Sequence, residues 1–379
     1  MEASTILWDK WQEQLDELLP EIHGHQRKTL ALSVLGIVLS GSAVLSRMAE
    51  SLSLQDISSA KMPSIERRLA RFVGNSRVQV NTIWKQVLSQ SLPYWKGKAV
   101  RVILDGMPLD ERVSIVYLGL LVQSRVLPLA WRVMPAQEKW ERRQWELVGE
   151  MLDEVGQHLE PSECTLIADR GLAGSPLVSL CRDRKWHYVL RVCKNHTCRR
   201  WMGEDYQPSQ PLGQIIAKEG QQWFGKVLLW QGERMIQTEL SAIWQTGYTE
   251  AWFLISDLPA GRPRVHDYAL RMRVESTFQD SKSRGWNLKM SQIEERAQLD
   301  RLLLALFVAM WWVAHLAAAC IHHGKRHQFD RHDRRDKGIF RLGRLWLLDI
   351  LRRDRTTLAL IHCLPFRKTP TGWCLALRF

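Results

Sequence analysis

Several protein classes are excluded by what this chain lacks. Its 379 residues hold only seven cysteines, at 164, 181, 193, 198, 320, 363 and 374. The number is odd and no two form a C-x-x-C pair, which argues against a disulfide framework and for buried thiols in a reducing compartment. Cys193, His196 and Cys198, taken with His322, His323, His327 and His332, fit no closed four-ligand zinc spacing. No repeat of 20–50 residues and no low-complexity tract is present, so solenoids and arrays are excluded. Disorder is excluded too, because 45% of the residues are apolar and 25% charged, the usage of folded domains. The first 29 residues carry Glu2, Asp9, Glu13, Asp16, Glu17 and Glu21, which a secretory or transit segment avoids, so a cytoplasmic chain is expected.

Acidic charge is also in deficit. Lys and Arg outnumber Asp and Glu 53 to 40, a net charge of +13, which points to a polyanionic partner such as nucleic acid or an anionic membrane. The length allows two or three domains at roughly 100–200 residues each. One run, Leu302–Ile321, is long enough to cross a bilayer. It contains His315 and follows Glu294, Glu295 and Asp300. A buried core helix packed on a sheet is the expected reading, with no membrane partner.

Along the chain, residues 1–97 read as helical. After Pro63, the spacing of Ile65, Leu69, Phe72 and Val73 predicts one apolar helix face, with Arg67, Arg68 and Arg71 pointing away. That basic face suits either DNA phosphates or plain solvent. From residue 98 the pattern changes to β-rich runs, with strands predicted near 99–104, 113–122 and 127–134. A helix over 145–159, a strand over 164–168, a helix near 176–183 and a strand over 187–192 follow. Residues 195–250 break this rhythm with short Gly-, Gln- and Trp-rich runs, predicting a small β insertion. A strand at 251–258 and a single helix over about 267–283 resume it, giving an α/β order with a mixed sheet. Between Lys325 and Arg355 eleven basic residues face five acidic ones, either a DNA grip or a solvated surface.

Two carboxylates are placed by the strand pattern. Asp105 follows Val-Arg-Val-Ile-Leu and Asp169 follows Thr-Leu-Ile-Ala, so each is expected at the C-terminal end of a buried strand, where α/β sheets carry their sites. A lone Asp there is usually a turn or cap residue. A third group comes from helical spacing: Tyr268, Arg271, Glu275 and Lys282 stand at offsets 0, 3, 7 and 14, within roughly a 60° arc at 100° per residue. The stripe is either a solvent-facing ion-pair network or a metal-binding Glu beside phosphate-gripping side chains.

The order Tyr268-(2)-Arg271-(3)-Glu275-(6)-Lys282 reproduces, without a gap, the Y-(2)-R-(3)-E-(6)-K signature, and in it the chain resembles the DDE transposases of the insertion sequence 4 family. These are bacterial mobile-element enzymes. Ile167-Ala-Asp-Arg-Gly171 resembles the family's second-aspartate motif, Ile103-Leu-Asp-Gly106 the first, and Leu190-Arg-Val-Cys-Lys-Asn195 the strand that follows, over residues 60–320 or so. Gly106-Met107 departs from the small residue and Thr or Ser expected after the first aspartate. The acids lie 64 and 106 residues apart, so the extra length falls where the β insertion is read.

The resemblance implies an α/β, ribonuclease-H-like mixed-sheet catalytic core interrupted by a β insertion, with helical N-terminal and C-terminal regions. Its divisions would be a helical DNA-binding region (1–97), a first core part (98–194), the insertion (195–250), a second core part with the Glu helix (251–320) and a basic C-terminal region for DNA contact or dimerisation (321–379). Asp105, Asp169 and Glu275 would be the catalytic metal ligands, holding two Mg²⁺ per active site, with Mn²⁺ able to substitute. Tyr268, Arg271 and Lys282 would grip DNA phosphates, with Arg191 and Lys194 as further phosphate contacts. Most of the 18 tryptophans, Trp311 and Trp312 among them, read as core. Trp244 and Trp252 are the candidates for stacking on a base flipped out of the insertion sequence's end. The implied activity is cutting of transposon ends through a hairpin and joining of their 3′-hydroxyls to target DNA by a homodimer, with no small-molecule cofactor. The alternatives are a catalytically silent, repurposed DNA-binding protein and a nuclease of the same fold without strand transfer.

Overall fold

In the computed structural model, residues 3–138, 142–331 and 333–353 are described. Helices come first: α1 (Ala3–Leu18), α2 (Gly24–Ser40), α3 (Leu45–Leu54), α4 (Met62–Gly74) and α5 (Val80–Ser91). α2 is buried continuously from Leu30 to Leu39, so it has no solvent face and becomes the centre of this helical layer. It ends at Gly41, whose φ of 68° is left-handed and whose N–H donates to Ile37 C=O. In α4 the apolar face is formed by Ile65, Leu69, Phe72 and Val73, while Arg67, Arg68 and Arg71 are exposed.

Three antiparallel strands follow, β1 (Val100–Pro108), β2 (Val113–Val122) and β3 (Arg125–Pro135). After α6 (Arg142–Gly156), β4 (Cys164–Ala168) pairs parallel to β1, and after α7 (Ser175–Asp183), β5 (His187–Arg191) pairs parallel to β4. The lateral order β3-β2-β1-β4-β5, with only the last two parallel to β1, is the ribonuclease-H-like arrangement. The stretch read as an insertion forms β6 (Thr197–Arg200), β7 (Gln210–Pro211), β8 (Gln222–Leu229) and β9 (Ile236–Ile243). β10 (Trp252–Ser256) bonds β5 on one side and β9 on the other. The inserted strands therefore prolong the core sheet, and ten strands form one continuous surface.

The C-terminal half adds α8 (Arg262–Ala269), α9 (Arg273–Gln279), α10 (Arg296–His322) and α11 (Ile339–Arg353). α10 is long and apolar enough to cross a membrane, yet 94% of its apolar window is buried inside the fold. Trp312 stacks on Trp11 with ring centroids 4.5 Å apart, and Trp311 Nε1 donates to Pro128 C=O at 2.8 Å. The first helices, α10 and the sheet thus share one apolar core. Arg344 of α11 donates to Val38 and Leu39 C=O, both at 2.8 Å, and so caps α2. Four more basic residues of the C-terminal stretch pair with nearby acids: Arg326 with Asp330, Arg331 with Asp333, Arg334 with Asp336 and Arg353 with Asp349. This consumes part of the positive excess read there.

Three expectations need correction. β1 does not stop before Asp105, because β2 keeps pairing as far as Pro108 with Ser114, so Asp105 lies within the strand. The single helix over 267–283 is segmented. It begins at Arg262 with Pro263 in its first turn, tightens to 3₁₀ at Leu270–Met272, and widens to a π-turn at Asp280–Arg284. The uniform 100° step used to align Tyr268 with Lys282 therefore breaks at Leu270–Met272 and again after Gln279. Finally, Cys164, Cys181, Cys198 and Cys320 are buried but Cys193, in the turn after β5, is exposed. Cys363, Cys374 and His332 lie outside the described residues.

Candidate active site

Strand register builds the centre of the site. Leu104 of β1 is opposite Ala168 of β4, so the next residues, Asp105 and Asp169, are side by side on parallel neighbours. Ala168 is in turn opposite Leu190 of β5, which brings Arg191 alongside Asp169 by the same step. Parallel strands present matched positions on the same face, and the spacing is about 4.8 Å. Asp105 is almost buried while Asp169 is half-buried, its side chain 31% exposed. Each aspartate accepts the N–H of its successor: Gly106 N–H donates to Asp105 Oδ1 at 2.8 Å and Arg170 N–H to Asp169 Oδ1 at 2.7 Å.

The segmented helix is strapped over these strands by named contacts. Arg101 and Arg264 pair with Asp267 at 2.5 and 3.0 Å, holding α8 to β1. Val126 N–H donates to Thr277 Oγ1 at 2.9 Å, Arg125 pairs with Asp280 at 2.5 Å, and Arg273 donates to Gln123 C=O, so α9 is tied to the β2–β3 hairpin. Tyr268 Oη, buried, then donates to Asp169 Oδ1 at 2.9 Å. Arg271 Nη2 lies 2.8 Å from Asp105 Oδ2 and 3.4 Å from Asp169 Oδ2. Its Nε is buried with no hydrogen-bond partner.

Burial dominates the electrostatics. It lifts the Asp105 pKa to about 6, against the pull of Arg271 and the Gly106 N–H and with help from the Glu275 and Asp169 charges. At Asp169 burial acts the same way but is outweighed by the Arg170 N–H, Arg271, Tyr268 and Arg191, and the pKa falls below the usual range. Burial pushes the Tyr268 hydroxyl well up, reinforced by Asp169. Lys282 is half-buried, and burial lowers its pKa while Glu275 opposes the shift and Lys289 adds to it. Glu275 is exposed on α9, close enough to act on both Asp105 and Lys282.

The remaining predicted residues are distributed differently. Arg191 interacts with Tyr268 and joins Glu250, which also takes Arg170 at 3.1 Å. Trp252 packs edge-on against Tyr268 at 5.0 Å, and Tyr248, 51% exposed, packs on Trp252 at 6.0 Å. Trp244 donates from Nε1 to Tyr248 C=O at 2.8 Å, at the same end of the sheet. Lys194 is exposed in the turn beyond β5, and Arg67, Arg68 and Arg71 belong to the helical layer. Sequence reasoning missed Glu250, Tyr248, Arg170 and Glu138. Glu138 lines, with Asp105, Asp169, Ser114 and Gly171, a cleft of about 230 Å³. Only Arg170 carried a signal, as the neighbour of Asp169.

The donor set suits a hard divalent cation: all ligand atoms would be carboxylate oxygens, and the Glu275 and Asp169 charges add a little to the rise that burial imposes on the Asp105 pKa. Among the described residues no three His, Cys, Asp or Glu side chains stand close enough together to hold an ion as they are. The gap between the two aspartates is spanned instead by the Arg271 guanidinium, a cation placed where positive charge is required.

Residues 133–312 match the family model for the transposase DDE domain, a span that includes Asp169, Arg271 and Glu275 and begins after Asp105. No curated protein matches the chain. A solved structure described as a cryo-EM structure of a piggyBac transposase synaptic complex with hairpin DNA is similar at 11% identity, over 92% of this chain and 80% of that one, with a TM-score of 0.42. The family match spans just under half of the chain.

Proposed function

We propose that this protein is a DNA transposase of the insertion sequence 4 type, cutting transposon ends and joining them to target DNA. The observation that carries the reading is the register of β1 on β4, which sets Asp105 beside Asp169 under a helix bearing Tyr268, Arg271 and Glu275. Asp105, Asp169 and Glu275 are the residues that would hold Mg²⁺ or Mn²⁺. The chemistry that a pair of such ions would supply, if held there, is activation of an attacking hydroxyl and stabilisation of the leaving oxygen in an in-line phosphoryl displacement.

The protein's own groups do the remaining work. Arg271, with an unpartnered buried Nε, offers a donor to a phosphate oxygen and a charge against the anion that builds up during displacement. Tyr268, its hydroxyl held protonated, orients Asp169 as a hydrogen-bond donor. Lys282, its charge partly desolvated, supplies a second cation beside Glu275. Tyr248 and Trp252 present aromatic surface at the same edge, where an unstacked base can rest. The bounds 1–97, 98–194, 195–250, 251–320 and 321–379 remain the proposed functional divisions, and paired ends call for a homodimer in the synaptic complex.

The test is cleavage of DNA carrying the element's own ends, with Mg²⁺ or Mn²⁺, by the native protein and by Glu275→Gln. Metal-dependent cutting that the substitution lowers by about a hundredfold or more, with DNA binding retained, upholds the reading. Binding without cutting by the native protein overturns it in favour of a silent DNA-binding descendant. Cutting without joined products reduces it to a nuclease.

A further inference from the structure

Glu250 has no place in the acid triad or in the grip on the helix, yet two arginines converge on it. Arg170 Nη1 lies 3.1 Å from Oε2 and 3.3 Å from Oε1, and Arg191 Nη2 donates to Oε1. The two cations have different origins: Arg191 is fixed on β5 with its side chain 13% exposed, and Arg170 directly follows Asp169. The anion comes from the loop between β9 and β10, and its side chain is 44% exposed. Glu250 is therefore the removable member of the trio. A half-buried guanidinium needs an anion, whereas an exposed carboxylate loses little by returning to water.

The position also has a direction. From Glu250 the contacts run through Arg191 to Tyr268, from Tyr268 to Asp169, and from Asp169 through Arg271 to Asp105. A group bound between Arg170 and Arg191 thus sits one strand step from the acid pair. A phosphodiester carries the same charge as the carboxylate and offers two oxygens to two guanidinia.

We propose that Arg170 and Arg191 form a phosphate-binding position that Glu250 fills in the free protein, and that a DNA backbone phosphate replaces it. The inference rests on the DNA-processing reading only for the identity of the anion. Glu250 then acts as an internal competitor, weakening DNA binding at this position until a strand end displaces it.

The experiment is fluorescence anisotropy of a labelled DNA duplex on the full chain, in EDTA, with the fold checked by thermal unfolding. Glu250→Gln is expected to bind about three- to tenfold more tightly than the native protein, the worth of one or two ion pairs released. In an Arg170→Gln/Arg191→Gln background the same substitution is expected to produce no gain. Unchanged or weaker binding by Glu250→Gln overturns the proposal, because a carboxylate that merely positions Arg191 would be missed. Titration with inorganic phosphate separates the sources: a gain for free phosphate with none for DNA overturns the DNA assignment. A native protein that cuts DNA while Glu250→Gln binds no tighter removes this inference alone. A native protein that fails to cut while Glu250→Gln binds tighter removes only the transposase reading.

Discussion

Arg271 reaches Asp105 at 2.8 Å from inside the fold, and the same nitrogen lies 3.4 Å from Asp169. One guanidinium thus offsets part of the repulsion between two carboxylates, and in doing so stands between them. A divalent ion and Arg271 compete for the same charge. Replacing Arg271 with Gln is expected to tighten Mn²⁺ binding about tenfold, the equivalent of about 1.4 kcal/mol. Electron paramagnetic resonance of free Mn²⁺ reads this without turnover. Lys at 271 is a point charge that cannot span both carboxylates, so it should fall between. Equal or weaker Mn²⁺ binding by the Gln variant would show that Arg271 organises the acids rather than competing for them.

Asp105 makes stability depend on pH in an unusual direction. Its folded pKa of about 6 lies above the ordinary 3.8, so between these values the folded chain holds a proton that the unfolded chain has released. Stability from this group is full below pH 4 or so and is lost as pH rises to about 6. Asp105→Asn, which cannot ionise, is expected to be more stable than the native protein by about 1–3 kcal/mol at pH 7.5 and no more stable near pH 4. Denaturant unfolding at the two pH values decides it, and a variant less stable at pH 7.5 would refute the burial argument.

The exposed Arg67, Arg68 and Arg71 of α4 form a basic strip over an apolar seam. If this strip lies on DNA, converting all three to Gln should lower the slope of log affinity against log salt by about 2–3. An unaltered slope would return the strip to solvent.

Gly343 of α11 faces the backbone of α10, and a Cβ there would stand 1.8 Å from Val313 O and 2.9 Å from Ala317 N. Neither atom can yield without moving a helix. Gly343→Ala should cost about 3 kcal/mol or more, seen as a lower midpoint in thermal unfolding. A midpoint within a degree or two of the native protein would mean that α10 and α11 separate freely.

Much of this architecture was readable from residue patterns. β2 and β4 begin and end where the apolar runs Val113–Val122 and Cys164–Ala168 do, because buried strands leave uninterrupted apolar stretches. Asp105 and Asp169 were picked out by their place after such runs. The convergence of Tyr268 and Arg271 on them is a tertiary fact, created by the ties of α8 and α9 to β1 and the β2–β3 hairpin. Periodicity did not reveal the 3₁₀ and π turns, since those depend on how the helix is held at its two ends. Glu250 and Glu138 were invisible for a related reason: each reaches the site from a loop, and no local pattern marks where a loop side chain will point.

The sheet that prolongs the core also has a mechanical meaning. β9 is bonded to β10 from Glu239 to Ile243 and to β8 from Ile236 to Ile243, so the loop carrying Trp244 and Tyr248 grows from a beam and not from a hinge. The separation between β9, where that loop begins, and β4, which ends at Asp169, is metered by three strand spacings, about 14 Å. The molecule is a gauge of fixed width, and whatever is laid across it must supply the bending.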